Sequence, residues 1–138
     1  MLSVEKSWQG SEPGSAVRVL VVEDNRDLRQ VLGRFLSSKG LDVTVASSAE
    51  EAFQLGAEHR FDVMLVDMVL PGQRGPQFVE QLRRAGSESR VILMTAYAID
   101  FDDPAVTAMK ADRIFPKPCD LAVLANEIGA LGKRGAVG

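Results

Sequence analysis

The chain alternates between short apolar runs and longer stretches with helical period. The runs lie at Val17–Val22, Asp42–Ala46, Asp62–Val66, Val91–Met94 and Arg113–Phe115. Three are apolar almost throughout: Val19-Leu20-Val21-Val22, Val63-Met64-Leu65-Val66 and Val91-Ile92-Leu93-Met94. Such runs suit strands covered on both faces, as in a parallel sheet, better than the alternation of a sheet wet on one side. Between them, Leu28, Val31, Leu32, Phe35 and Leu36 form one helical stripe, and Gly40 follows as its C-terminal stop. Ser48 and Glu51 have capping-box spacing ahead of a second helix with Ala49, Ala52 and Phe53 inward. Phe78, Val79 and Leu82 mark a third, ended by Gly86. Leu121, Leu124, Ile128 and Leu131 mark the last, with Asp120 as N-cap. Gly129 weakens that helix by about 1 kcal/mol relative to alanine. Pro104 fits only a first turn, so a short helix is expected over about 103–110, capped by Asp103.

Five strand-then-helix units imply an α/β fold, a parallel sheet with helices on both faces. Residues 1–16 and 133–138 read as tails, rich in Gly, Ser and Pro or in Gly alone, which leaves one folded core over 17–132. With 138 residues, 46% hydrophobic and 25% charged, the chain has the mix of a single globular domain. Its net charge of −3 argues against a general nucleic-acid binder. No apolar run approaches the roughly 18–20 residues of a membrane helix, and the N-terminus lacks the apolar core of a signal peptide. One cysteine, Cys119, excludes an internal disulfide and a Cys-based zinc cage. A cytoplasmic protein is expected.

In open α/β sheets chemistry collects beyond the carboxyl ends of the strands. The first strand ends in Glu23-Asp24-Asn25, the third in Asp67, the fourth in Thr95, and the fifth runs into Lys117-Pro118. Any one of these has an ordinary reading: an Asp after a strand is usually a turn or cap residue, and a Lys a solvated charge. Together they put three carboxylates, a hydroxyl and an ammonium on one rim. Carboxylates that close repel one another unless a hard dication sits among them with a cation nearby. All-oxygen ligands on a shallow rim suit Mg²⁺. Such a site can receive a phosphoryl group, with one carboxylate as nucleophile.

From Val17 to Leu131 the sequence resembles the receiver domain of bacterial two-component response regulators. The matching stretches are Val19-Leu20-Val21-Val22-Glu23-Asp24-Asn25, Met64-Leu65-Val66-Asp67-Met68-Val69-Leu70-Pro71-Gly72, Gly75, Leu93-Met94-Thr95-Ala96 and Lys117-Pro118. The resemblance implies a flavodoxin-like doubly wound (βα)5 fold with strand order 2-1-3-4-5. It implies Asp67 as phospho-acceptor, with a sensor histidine kinase or histidine phosphotransfer protein as donor. Asp24 would bind Mg²⁺ directly and Glu23 through water, with Asp67 and the Val69 carbonyl as further ligands. Lys117 would pair with Asp67 and then with the phosphoryl oxygens, and Thr95 would bond to the phosphoryl group. Pro71, Gly72 and Gly75 would shape the loop after Asp67, and Lys117–Pro118 would be a cis peptide. The expected protein is a phosphorylation-controlled switch, monomeric or weakly dimeric, that signals to a downstream effector by protein contact. No DNA-binding output domain is expected in this chain, and a piece of a longer regulator or hybrid kinase would read the same.

The sequence also departs from the family. Ile114 stands where the family commonly has Tyr or Phe, and Phe115, next along a strand, faces the other way. Lys110 replaces a usual Gly, and Cys119 a usual apolar residue. Val69 and Tyr97 occupy positions that in this family flank the phosphoryl group, and neither is acidic or amide and able to orient an attacking water, so slow hydrolysis is expected. Tyr97 either assumes the lost aromatic's role or merely covers the rim. Asp100, Asp102 and Asp103 are either a docking feature or a solvated loop. His59 reads as exposed, Cys119 as a partly buried thiol and Trp8 as part of the tail. Turnover enzymes fit poorly: Glu23-Asp24 replaces the Gly-rich turn of a dinucleotide site, and Val69 the second acid of an aspartyl phosphatase. A receiver-like module that works unphosphorylated is the remaining alternative.

Overall fold

The computed structural model describes residues 16–96, 102–117 and 120–137. Tyr97, Asp100, Pro118, Cys119, Trp8 and the Lys117–Pro118 peptide geometry lie outside these residues. The elements are β1 (Arg18–Val22), α1 (Arg26–Ser38), β2 (Asp42–Ala46), α2 (Ala49–Glu58), β3 (Val63–Asp67), β4 (Val69–Leu70), β5 (Gln73–Arg74), α3 (Gly75–Arg84), β6 (Arg90–Thr95), α4 (Pro104–Thr107), β7 (Arg113–Pro116) and α5 (Leu121–Val137).

Five strands form one parallel sheet in the order β2-β1-β3-β6-β7. The extra strands β4 and β5 pair only with each other, as an antiparallel hairpin after Asp67. With that hairpin set aside, the last two sheet strands take the fourth and fifth places of the 2-1-3-4-5 order. The central strands are buried on both faces, as their unbroken apolar runs require. Leu20, Val22, Met64, Val66, Val91 and Leu93 pack with Ala49 and Ala52 of α2 and Phe78, Val79 and Leu82 of α3. Val19, Val21, Val63, Leu65, Ile92 and Met94 pack on the opposite side with Leu32 and Leu36 of α1 and Leu124, Ile128 and Leu131 of α5. The strand period of two thus divides each apolar run between two cores.

Local signals set the helix ends. Asn25 caps α1 through its side chain, accepting from Leu28 N. Gly40, at φ 88°, ends it: Gly40 N donates to Ser37 O and Leu41 N to Leu36 O, the paired bonds of a Schellman stop. Gly86 at φ 87° repeats the device after α3. Ser48 Oγ accepts from Glu51 N as expected, but Glu51 reaches back to Ser47 N at 2.8 Å, one residue before the cap. Asp120 Oδ1 accepts from Ala122 N and caps α5.

Two boundaries differ from expectation. Helix α4 is a single turn, Pro104–Thr107, shorter than 103–110. Its four residues offer too few successive hydrogen bonds to propagate. Helix α5 continues to Val137, past the limit expected near Gly132. Gly132 lies so close to Val17 that a side chain there would collide with it, so the residue leading into β1 packs against α5 at this glycine.

Gly75 carries the sharpest steric requirement near the strand ends. A Cβ on it would lie 2.7 Å from Asp67 O and 3.0 Å from Met68 Cα, while Gly75 N donates to Met68 O at 2.8 Å. The neighbour is backbone and cannot swing aside. Gly75→Ala is expected to cost about 2 kcal/mol, read as a lowered urea midpoint with unchanged slope.

Candidate functional site

Parallel pairing brings the carboxyl ends of β1, β3, β6 and β7 to one rim. Glu23 and Asp24 follow β1 directly, and Glu23 N donates to Ala46 O at the end of β2. Asp67 is the last residue of β3, paired in register with Met94 of β6, and Thr95 is the next residue along β6. Lys117 follows β7, and its backbone N donates to Thr95 O at 2.6 Å.

The side chains converge. Lys117 Nζ donates to Asp67 Oδ2 at 2.8 Å and to Glu23 Oε1 at 3.1 Å. Glu23 Oε2 accepts from Asn25 N at 3.0 Å, and Asp67 Oδ1 from Val69 N at 3.1 Å. Glu23 is 1% exposed, Asp67 8% and Thr95 1%, whereas Asp24 is open to solvent. Glu23, Asp24 and Asp67 each present a carboxylate oxygen within 4.8 Å of the others. Val69 enters through its N–H, with its side chain 46% exposed on the rim. All the residues singled out for this chemistry therefore lie around one spot.

Burial pushes the Glu23 carboxyl above its ordinary 4.5, and the nearby Asp67 charge adds to the push; bonds from Asn25 N–H and Lys117 only partly offset it. For Lys117, burial works against the charge, but its hydrogen bonds to Asp67 and Glu23 outweigh that, so it stays ammonium beyond 10.5. One ammonium among three carboxylates leaves the nest negative. Its donors are all oxygen and one side is open, which fits a hard dication that keeps several waters, Mg²⁺ above others. The residues present fit that ion.

Arg29 was invisible to motif reasoning. From α1 its Nη1 donates to Glu23 O at 2.9 Å and Asp24 O at 3.3 Å, fastening the loop that carries both acids. Bonds from a side chain to carbonyls leave no sequence pattern, so nothing in the chain announces them. Ile114 packs into the core on the α2–α3 side and Phe115 into the core on the α1–α5 side. Phe115 therefore does not stand in for an aromatic at 114. His59 is exposed, its ring edge-on to Phe61.

Comparison with known proteins agrees with this geometry. Residues 19–129 match the family described as response regulator receiver domain. The response regulator MprA of Mycobacterium sp. (strain KMS) is 35% identical over 118 residues, 86% of this chain and 51% of that protein. The chain thus spans about half the length of the curated relatives it matches. Among solved structures, the receiver domain of the Francisella response regulator 1452 superposes with a TM-score of 0.80 at 25% identity, covering 86% of this chain and 98% of the other. The chemotaxis response regulator CheY4 of Vibrio cholerae shares the fold, with a TM-score of 0.77 at 24% identity over 85% of this chain and 99% of the other. With a match running from β1 into α5, this chain belongs to the response regulator receiver domain family.

Proposed function

We propose that the chain is a phosphorylation-controlled switch with Asp67 as acceptor. The observation that carries this is Lys117 Nζ held between Asp67 Oδ2 and Glu23 Oε1 in a nest left net negative. Asp67 Oδ1 is already oriented by Val69 N–H, and Lys117 neutralises Oδ2, so the carboxylate is fixed before a donor arrives. In the transfer, one Asp67 oxygen bonds to phosphorus as the P–N bond to the donor imidazolium breaks, and the electron pair of that bond stays on nitrogen, releasing neutral imidazole. Lys117 can then turn to the new phosphoryl oxygens, with the Thr95 hydroxyl as a further donor. Glu23, Asp24, Asp67 and the Val69 carbonyl would hold Mg²⁺. That ion, when bound, neutralises charge gathering on the phosphoryl oxygens.

Phosphorylation adds about −1.5 to −2 charge to this rim, enough to draw Lys117 from Glu23 and reset the loops after β6 and β7. The donor in this reading is a sensor histidine kinase or histidine phosphotransfer protein in the cytoplasm. The output is contact with a downstream protein. Ile114 removes the usual inward-turning ring, so Thr95 and the Lys117 loop carry the change.

With Mg²⁺ and acetyl phosphate, intact-mass analysis is expected to show a gain of one phosphoryl group, abolished by EDTA or by Asp67→Asn. No gain in the wild type would favour a module that works unphosphorylated.

Because the folded value of Glu23 exceeds its unfolded 4.5, the native state holds more protons between the two values. Stability contributed by that protonation is therefore lost as pH rises through the folded value, so an ionised Glu23 is a cost to the metal-free fold. Glu23→Gln is expected to raise the metal-free melting temperature at pH 7 by about 3 °C. The same change should weaken stabilisation by Mg²⁺, and a lowered melting temperature would contradict this account.

The phosphoryl group on Asp67 is expected to persist for minutes, because Val69 offers nothing to orient water. Val69→Asn should shorten that lifetime by about tenfold; a wild-type lifetime of seconds would contradict the expectation.

A further inference from the structure

Helix α3 begins against local physical rules. Its N-cap is Arg74, with extended backbone at φ −81° and ψ 153°. An N-cap side chain stabilises a helix by accepting a bond from the first turn, which favours Asp, Asn, Ser and Thr. A guanidinium has only donors and cannot accept. It also brings positive charge to the end of the helix where the backbone dipole is already positive. The first turn does what it can without the cap: Gln77 Oε1 accepts from Arg74 N at 3.1 Å. The reciprocal bond, to Gln77 N, has no side-chain acceptor at position 74.

The same residue closes the β4–β5 hairpin, where Arg74 lies directly opposite Val69. Opposed residues of an antiparallel pair share a face, with Cβ atoms about 5 Å apart. Val69 is the residue whose N–H holds Asp67 Oδ1, and its side chain is exposed on the rim. Arg74 is exposed too, and its side chain makes no cap hydrogen bond to the helix. A cation placed at a cost to its own helix and beside an anion-handling site has a use there. Departures from local preference of this kind concentrate at functional sites.

We propose that Arg74 is a phosphodonor-recognition residue, approaching the dianionic phosphoryl group of the incoming donor from the hairpin side while Lys117 faces it from β7. This rests on the reading of Asp67 as acceptor. The chemical class recognised is a phosphoryl dianion on a nitrogen or acyl leaving group. A forked, permanently charged side chain on the rim draws that group in and aligns two of its oxygens. It acts on donor capture, before the P–N or P–O bond breaks.

The test uses phosphoramidate, with Mg²⁺ saturating, on the full chain. Arg74→Ala should raise the KM for phosphoramidate about tenfold with the maximal labelling rate within twofold, and flatten the dependence of kcat/KM on salt. Arg74→Lys should restore most of the loss. Arg74→Asp is the decisive variant: it supplies the missing cap and should raise the melting temperature by about 3 °C while depressing labelling further than alanine. Unchanged KM in Arg74→Asp, or an alanine defect that ignores salt and is not restored by lysine, overturns the proposal. A wild-type chain that takes no phosphoryl group from phosphoramidate overturns the acceptor reading itself, and is distinguished by that.

Discussion

Lys117 holds together groups far apart along the chain: Glu23, which precedes it by 94 residues, and Asp67, by 50. No local element could bring these three side chains within hydrogen-bonding distance. Their meeting depends on β1, β3 and β7 running parallel in one sheet with their carboxyl ends level. The interaction in turn makes burial of two carboxylates tolerable. Removing the ammonium would leave Glu23 and Asp67 desolvated and facing each other, the costly half-state of a broken buried pair.

The balance is deliberately incomplete. One cation faces three acids, and Glu23 is kept from ionising as readily as a solvated carboxylate. A site neutral by itself would gain little from a dication or a phosphoryl group. A site too negative would not stay folded. The backbone fixes the acids so that this tension is not relieved by movement: Asn25 N–H holds Glu23, Val69 N–H holds Asp67, and Arg29 ties down the carbonyls of Glu23 and Asp24. Gly75 permits the start of α3 to lie against the backbone of Asp67 and Met68, which fixes Asp67 from below.

Much of this was legible from residue order alone. Runs such as Val63-Met64-Leu65-Val66 can be soaked up only by a strand covered on both sides, and Gly40 and Gly86 announced their helix ends. The rim residues were legible because each lies at or just beyond the carboxyl end of a strand. Features carried by geometry without period were not. The β4–β5 hairpin has two residues per strand, too few for alternation to register, and Pro71-Gly72 reads equally as any turn. Glu51 caps Ser47 because side-chain length, not spacing alone, decides which N–H it reaches. Helix α5 runs past Gly132, whose close approach to Val17 requires a glycine, whereas composition marked residues 133–138 only as a tail. Arg74 carries no signal of its own in the sequence, because only the hairpin sets it opposite Val69.

The account stands on a single atom-to-atom event, capture of phosphorus by a carboxylate oxygen of Asp67. Reduction of the phosphorylated protein with borohydride converts an aspartyl phosphate to homoserine, and peptide sequencing by mass spectrometry then reads its position. The account predicts homoserine at position 67 alone. Homoserine at position 24, hydroxynorvaline (the reduction product of a glutamyl phosphate) at position 23, or a phosphoryl group that survives reduction on a hydroxyl or imidazole, would contradict it.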